Sequence, residues 1–288
     1  MTTSTYPETL FHFCGDEKKG EDALKSILSS KSFIPSYARE RVISTKVETP
    51  YFFVPMVSFC DFKVHELNLH FTKYGKFGIG LSKTWGIEKG LNPVFYFSNG
   101  SELFPEMWSA IFKVYEIISI SDPEIHYKTE NLNADNIEAL NKIKPDEMNA
   151  ITRIIASEFP RLLKLLTYAK NYQGELKRDG EELIPDFRFA DDREWRYVPK
   201  VPDRLVIPEN LPNSLTGGKH YGKEELNEQI INSSHHLEFG YDDVKFIFVP
   251  DEDARLDLIS FIETIEKETR ETINLLISKI TVISHLDL

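Results

Sequence analysis

The sequence predicts an α+β fold, with a bent, mainly antiparallel sheet, flanking helices and a helical insertion, in a single domain of 288 residues. Three observations predict it. Short apolar or alternating runs recur along the whole chain and read as strands. Longer stretches with apolar residues at helical spacing stand between them, notably within Glu102–Tyr172 and at the end of the chain. No linker rich in Gly, Ser or Pro marks the edges of the 102–172 block, so it reads as an insertion between strands.

Taken in order, Thr9–Cys14 (TLFHFC) alternates as a strand, with Leu10, His12 and Cys14 on one face and Phe11 and Phe13 on the other. Leu24, Ile27 and Leu28 then fall at helical spacing. Phe33–Glu40 reads as an irregular crossing, because Pro35 discourages helix. The central stretch Val54–Phe97 reads as strand, short helix, strand, then a turn into another strand. Its strands are Phe52–Phe59, the glycine-laced Phe77–Leu81 and Pro93–Phe97, and its short helix carries His65, His70 and Tyr74.

Glu102–Ile118 carries a helical stripe through Leu103, Met107, Ile111, Val114 and Ile118. Two acidic openings, Asp122–Glu124 and Pro145–Glu147, resemble helix starts, and Ile151–Tyr168 is amphipathic with a break at Pro160. Ile184–Ala190 and Arg193–Pro199 read as strands. In the second, alternation places Glu194, Arg196 and Val198 opposite Arg193, Trp195 and Tyr197. Lys200–Gly222 reads as a long loop, Lys223–Ile231 as a helix, Val244–Val249 as a strand and Asp253–Ser278 as one long terminal helix.

Composition narrows the function classes. No apolar run reaches the ~18 residues of a membrane span and no signal peptide opens the chain, so a cytoplasmic protein is expected. Cys14 and Cys60 show no pairing or zinc spacing, which suits reduced thiols in that compartment. The net charge of −12 disfavours direct nucleic-acid binding, because each phosphate contact needs a local cation, and favours a basic protein partner.

Familiar motifs fall away. Gly217-Gly218-Lys219 is too short for a phosphate cradle. His65 and His70 are one residue too far apart to ligate zinc from one helix face, so no metal site is expected. A metal nuclease sketched from Asp146 and Glu175-Leu176-Lys177 rests on short, common strings. What stays is a set of polar residues on predicted strands or beside them: His12, Ser58, Tyr74 and Glu194. Stranding such groups in a core costs several kcal/mol, so each needs a partner or a task. Plainer readings stand beside the functional ones: Glu194 as a structural ion pair with a flanking arginine, His12 as a satisfied core histidine, Ser58 as packing.

VPMVSFCD (54–61), His70, YGKFGIGLSKTWGI (74–87), GLNPVFYF (90–97) and DDREWRYVP (191–199) together resemble the abortive-infection AbiGi family, described as antitoxins of bacterial phage-resistance systems. LFHF (10–13) with its following helix and FGYDDVKFIFV (239–249) fit as well, so the resemblance spans nearly the whole chain. A more distant likeness, to ADP-ribosyltransferase-like folds, rests on the order of a strand with His, a central strand with a hydroxyl residue and nearby aromatic, and a late strand with Glu. That likeness implies NAD as cofactor: His12 would hold its ribose, Tyr74 would stack on nicotinamide, and Glu194 would be the catalytic carboxylate. Ser58, His70 and Arg196 would complete the cofactor site, and Arg196 could equally neutralise Glu194. Departure of nicotinamide develops positive charge that a fixed carboxylate stabilises. Two expectations follow: a phage-defence protein with an NAD-using site, acting as an effector, or a non-catalytic antitoxin that binds a cognate toxin or effector through its acidic surface.

Overall fold

The computed structural model describes residues 8–49, 51–121, 161–176, 183–200, 207–208, 223–266 and 268–286. The chain opens with β1 (Thr9–Gly15), α1 (Glu17–Ser30), β2 (Ser32–Phe33), β3 (Ser36–Glu40) and β4 (Phe52–Cys60). A 3-10 turn at Val64–Glu66 leads into α2 (Asn68–Tyr74), β5 (Phe77–Ser82), α3 (Lys83–Glu88), β6 (Asn92–Pro93), β7 (Phe95–Phe97) and α4 (Leu103–Ser121). Next come β8 (Ala169–Asn171), β9 (Gly174–Leu176), β10 (Ile184–Phe187), a 3-10 helix at Phe189–Asp192, β11 (Glu194–Tyr197), β12 (Ile207–Pro208) and α5 (Lys223–Ile231). The last elements are β13 (Leu237–Glu238), β14 (Val244–Val249), α6 (Glu252–Ile262), α7 (Arg270–Ser278) and β15 (Ile280–Val282).

The main sheet runs β15-β14-β5-β1-β4-β11-β6, and β3 and β12 also pair with β4. Among the described residues β14 and β15 are its only parallel pair, so the class is α+β with a mainly antiparallel sheet. The strand β4 organises it. At Cys60 it is flanked by Phe11 of β1 and Glu194 of β11, whereas at Phe52 and Phe53 its neighbours are β3 and β12. A strand that changes both partners along its length joins two smaller sheets.

Alternation along the strands sorts two cores. Leu10, Phe59, Ile79 and Ile247 face one side, where α1, α3, α6 and α7 bring Leu24, Leu28, Trp85, Leu258, Ile262, Ile273 and Leu276. Phe11, Cys60 and Phe248 face the other, against Phe62, Leu67 and Phe71 of the α2 region. The glycines of β5 belong to this second face. A Cβ on Gly80 would sit 2.8 Å from the Phe11 ring, so the strand is bare where a layer of phenylalanines crosses it. Gly75 ends α2 with φ +90°, and a Cβ there would strike the Gly15 backbone at 2.1 Å.

Several local expectations differ from the structure. The stretch Ser36–Glu40 is no irregular crossing: its five residues pair with Met56 to Phe52 as a β4 neighbour, a polar strand that apolar patterning does not reveal. Lys83–Glu88 is helical, started by the Ser82 hydroxyl, which accepts from the Trp85 amide at 3.2 Å. The run Pro93–Phe97 splits, β6 joining β11 and β7 pairing in parallel with β8. The 102–172 block therefore ends in a strand, although α4 forms as its stripe predicts. Ile184–Ala190 is strand only to Phe187 before the 3-10 helix begins. The long terminal helix is two helices, because Thr269 accepts from the Thr272 amide and starts α7 anew, after which the chain re-enters the sheet as β15. The helix starts at Asp122–Glu124 and Pro145–Glu147, the Asp146 position and the first part of Ile151–Tyr168 lie outside the described residues, as does most of the Lys200–Gly222 loop.

Candidate functional site

The second face of the sheet carries a seam of charge. The β11 alternation turns Glu194 and Arg196 towards the same side as Cys60 and Ser58, their register partners on β4. Arg196 is fully buried. A guanidinium in that position needs fixed acceptors, and each of its three nitrogens has one. Nε donates to Glu194 Oε1 at 2.7 Å, Nη2 to Glu40 Oε1 at 2.7 Å, and Nη1 to the Thr167 carbonyl at 2.7 Å.

Glu194 is equally committed. Its Oε1 also accepts from Ser58 Oγ at 2.8 Å, and its Oε2 pairs with Lys170 Nζ at 2.8 Å. Its amide donates to Tyr96 Oη at 2.8 Å. Two carboxylates, Glu40 and Glu194, thus face two cations, Arg196 and Lys170, so the buried cluster carries no net charge. Burial opposes ionisation of Glu194, yet Arg196 and Lys170 outweigh it and hold the carboxyl well below its usual range. Burial likewise opposes the Lys170 charge, and the Glu194 and Glu40 carboxylates hold its ammonium above the ordinary value.

A second knot lies two residues earlier, at Asp192. Positions 70, 73 and 74 share one face of α2 at i, i+3 and i+4, and all three side chains converge on this carboxylate. Lys73 Nζ lies 2.5 Å from Oδ1, Tyr74 Oη donates to Oδ2 at 2.6 Å, and His70 Nδ1 stands 3.9 Å from Oδ1. The His70 ring stacks on Phe62, centroids 3.6 Å apart, and its Nδ1 is buried with no hydrogen-bond partner among the described residues. Burial lowers its pKa, against the pull of Asp192, so the ring is held towards its neutral form. Cys60 lies near both knots: burial, then the charges of Asp192 and Glu194, push its thiol up. A thiol so placed is a poor nucleophile.

His12 is elsewhere. Its ring packs on the first face, edge-on to Phe33 at 5.0 Å and tilted against Phe59 at 5.5 Å, with Nδ1 donating to the Ser58 carbonyl at 2.9 Å. Burial lowers its pKa and the bond to Ser58 offsets part of that. The sheet therefore separates His12 from Glu194. The structure brings together Glu194, Arg196 and Ser58, places His70 and Tyr74 at the neighbouring Asp192 knot, and sets His12 apart as a satisfied core histidine. Nor is Tyr74 an open stacking platform, for its ring lies at 17° to Phe13 with centroids 5.8 Å apart and its hydroxyl is bound to Asp192.

The residues that sequence reading missed are the partners Lys170, Tyr96, Lys73 and Asp192; Glu40, which the sequence offers as a cleft-lining or a solvated residue, is instead a buried-cluster partner of Arg196. The i, i+3, i+4 spacing of His70, Lys73 and Tyr74 was a usable signal, since three polar groups on one helix face ask for a common acceptor. Among the described residues no group of three His, Cys, Asp or Glu side chains is arranged to hold a metal, and no helix is long and apolar enough to cross a membrane.

Fold and seam together define an α+β protein whose most conspicuous polar groups neutralise one another inside it. The sequence profile of a family described as "Putative abortive phage resistance protein AbiGi, antitoxin" matches residues 25–250, and the chain belongs to this AbiGi family. The abortive phage resistance protein AbiGi of Lactococcus lactis subsp. cremoris is 29% identical to it over 274 residues, covering 87% of this chain and 96% of the relative. No solved structure matches the chain.

Proposed function

We propose that this chain is a bacterial phage-defence protein acting in the cytoplasm as a non-catalytic antitoxin, which binds and neutralises a cognate toxin or effector. The family description and the abortive-infection relative support phage defence. The observation that carries the non-catalytic part is the state of Glu194: both oxygens are taken up by Arg196, Lys170 and Ser58, inside the protein. A carboxylate that must stabilise developing charge on a substrate needs a free face and an approach, and this one has its field cancelled by two cations.

The competing reading is an ADP-ribosyltransferase-like fold that uses NAD and acts as an effector. It asks His12, Tyr74 and Glu194 to line one cleft. The opposite placement of His12 and Glu194 and the closed packing of Tyr74 weigh against it, and the geometry favours these residues as parts of the scaffold. The test is co-expression. Cells that express the chain alone should grow normally, and cells that express the cognate toxin should regain growth when the chain is added. Arrest caused by the chain alone, relieved by Glu194→Gln, would overturn the antitoxin reading.

A further inference from the structure

The acidic charge of this chain is concentrated. Residues 251–271 carry eight carboxylates against three Lys or Arg side chains, a net −5 of the chain's −12. The segment includes all of α6, which Asp251 opens by accepting from the Ala254 amide at 3.0 Å. Leu258 and Ile262 bury one side of α6, and Ala254, Phe261 and Ile265 pack beside them. The helical period then turns Asp253, Leu256, Asp257, Ser260 and Glu263 outward, and all five are exposed.

Leu256 lies in the middle of this stripe and is 56% exposed. Its neighbouring cations are spent locally, Arg255 on Glu252 at 2.7 Å and Arg270 on Glu263 at 3.2 Å. Among the described residues Asp253 and Asp257, which flank Leu256, have no ion-pair partner. An apolar anchor between two uncompensated carboxylates is the composition of a protein-docking face with a charged rim. Its sign selects the occupant: phosphate-bearing nucleic acid and anionic lipid are repelled, and a second copy would bring a like-charged stripe against it.

We infer that the outward stripe of α6 is the docking surface for the toxin, and that the toxin meets it with a basic surface containing an apolar pocket for Leu256. This rests on the antitoxin reading. The family profile ends at residue 250, just before this segment, although α6 packs on the core and β15 completes the sheet.

The experiment measures binding of the purified full chain to the toxin it neutralises in co-expression, at several salt concentrations. Variants are Asp253→Lys/Asp257→Lys and Leu256→Ala, with a melting curve for each. All three positions are solvent-facing, so each variant should stay folded, with Leu256→Ala melting like wild type and the double lysine variant melting slightly lower because Asp253 lies in the first turn of α6. Each variant should bind at least about tenfold more weakly, and the double lysine variant should lose most of the salt dependence. Wild-type affinity in both variants would overturn the docking surface while leaving the antitoxin reading intact. Self-association of the wild-type chain that Leu256→Ala abolishes would give the face to a second copy and overturn it as well. A wild-type chain that neither binds nor rescues would bring down both.

Discussion

Ser58 touches His12 and Glu194 from opposite faces of the sheet: its carbonyl accepts from His12 Nδ1 at 2.9 Å and its hydroxyl donates to Glu194 Oε1 at 2.8 Å. The two residues a nucleotide site would have to bring together are instead held apart by the thickness of β4. Both are satisfied where they stand, and this makes the polar groups of the sheet a matter of stability before anything else.

Breaking the Arg196 cluster from one side should be costly. Glu194→Gln or Arg196→Met leaves buried opposite charge uncompensated, and each should lower the unfolding free energy by about 3–5 kcal/mol. The combined Glu194→Gln/Arg196→Met variant should lose less than the sum, because the charges leave together. Urea denaturation of the four proteins reads the coupling. Strict additivity would mean the cluster is looser than its geometry indicates.

The Asp192 knot gives a smaller effect that isolates one bond. Tyr74→Phe keeps the ring against Phe13 and removes only the hydroxyl that donates to Asp192. A hydrogen bond to a charged group contributes about 1.5–3 kcal/mol, and the same denaturation experiment should show a loss in that range. No change would imply that the tyrosine hydroxyl is not needed to hold Asp192.

Stability should fall on mild acidification. Burial lowers the pKa of both His12 and His70 from the usual 6.5, so below that pH the unfolded chain binds protons that the folded chain refuses. Stability from these two groups is complete above pH 6.5 and declines as pH drops through it towards their lowered folded values. Glu194, depressed from 4.5, adds a further loss at lower pH. Urea midpoints at pH 7.5 and pH 5.5 should therefore differ, and His70→Phe, which keeps an aromatic ring over Phe62, should shrink the difference. An unchanged slope would show that His70 does not titrate between the two states.

Gly80→Ala tests the bare strand. The new methyl group meets the Phe11 ring, and overpacking of this kind costs about 1–3 kcal/mol. A melting temperature equal to wild type would mean that the phenylalanine layer can shift.

The fold class was legible because its strands are short apolar or alternating runs between breakers. Val244–Val249 reads as a strand from its apolar run, with Ile247 and Phe248 buried on opposite faces, and the faces read for His12 and Glu194 from alternation in Thr9–Cys14 and Arg193–Pro199 are the faces they occupy. What alternation does not contain is how strands pair. His12 and Glu194 point to opposite sides because Phe11 and Glu194 share the partner Cys60, a register that only the folded sheet fixes. For the same reason Arg196 was legible as a polar residue on a strand but not as the centre of a network whose other members come from β3, β8 and residue 167. Short polar strands such as Ser36–Glu40 are hidden because tertiary pairing, not their own pattern, makes them strands.

A non-catalytic antitoxin, as proposed, uses Glu194 as a structural carboxylate and leaves NAD intact. The most direct measurement is nicotinamide release from NAD by the purified chain, followed over time for wild type and Glu194→Gln at matched folded concentration. No release above buffer is expected from either protein, with the variant differing only in stability. Release by wild type that Glu194→Gln abolishes, in a variant that is still folded, would contradict it.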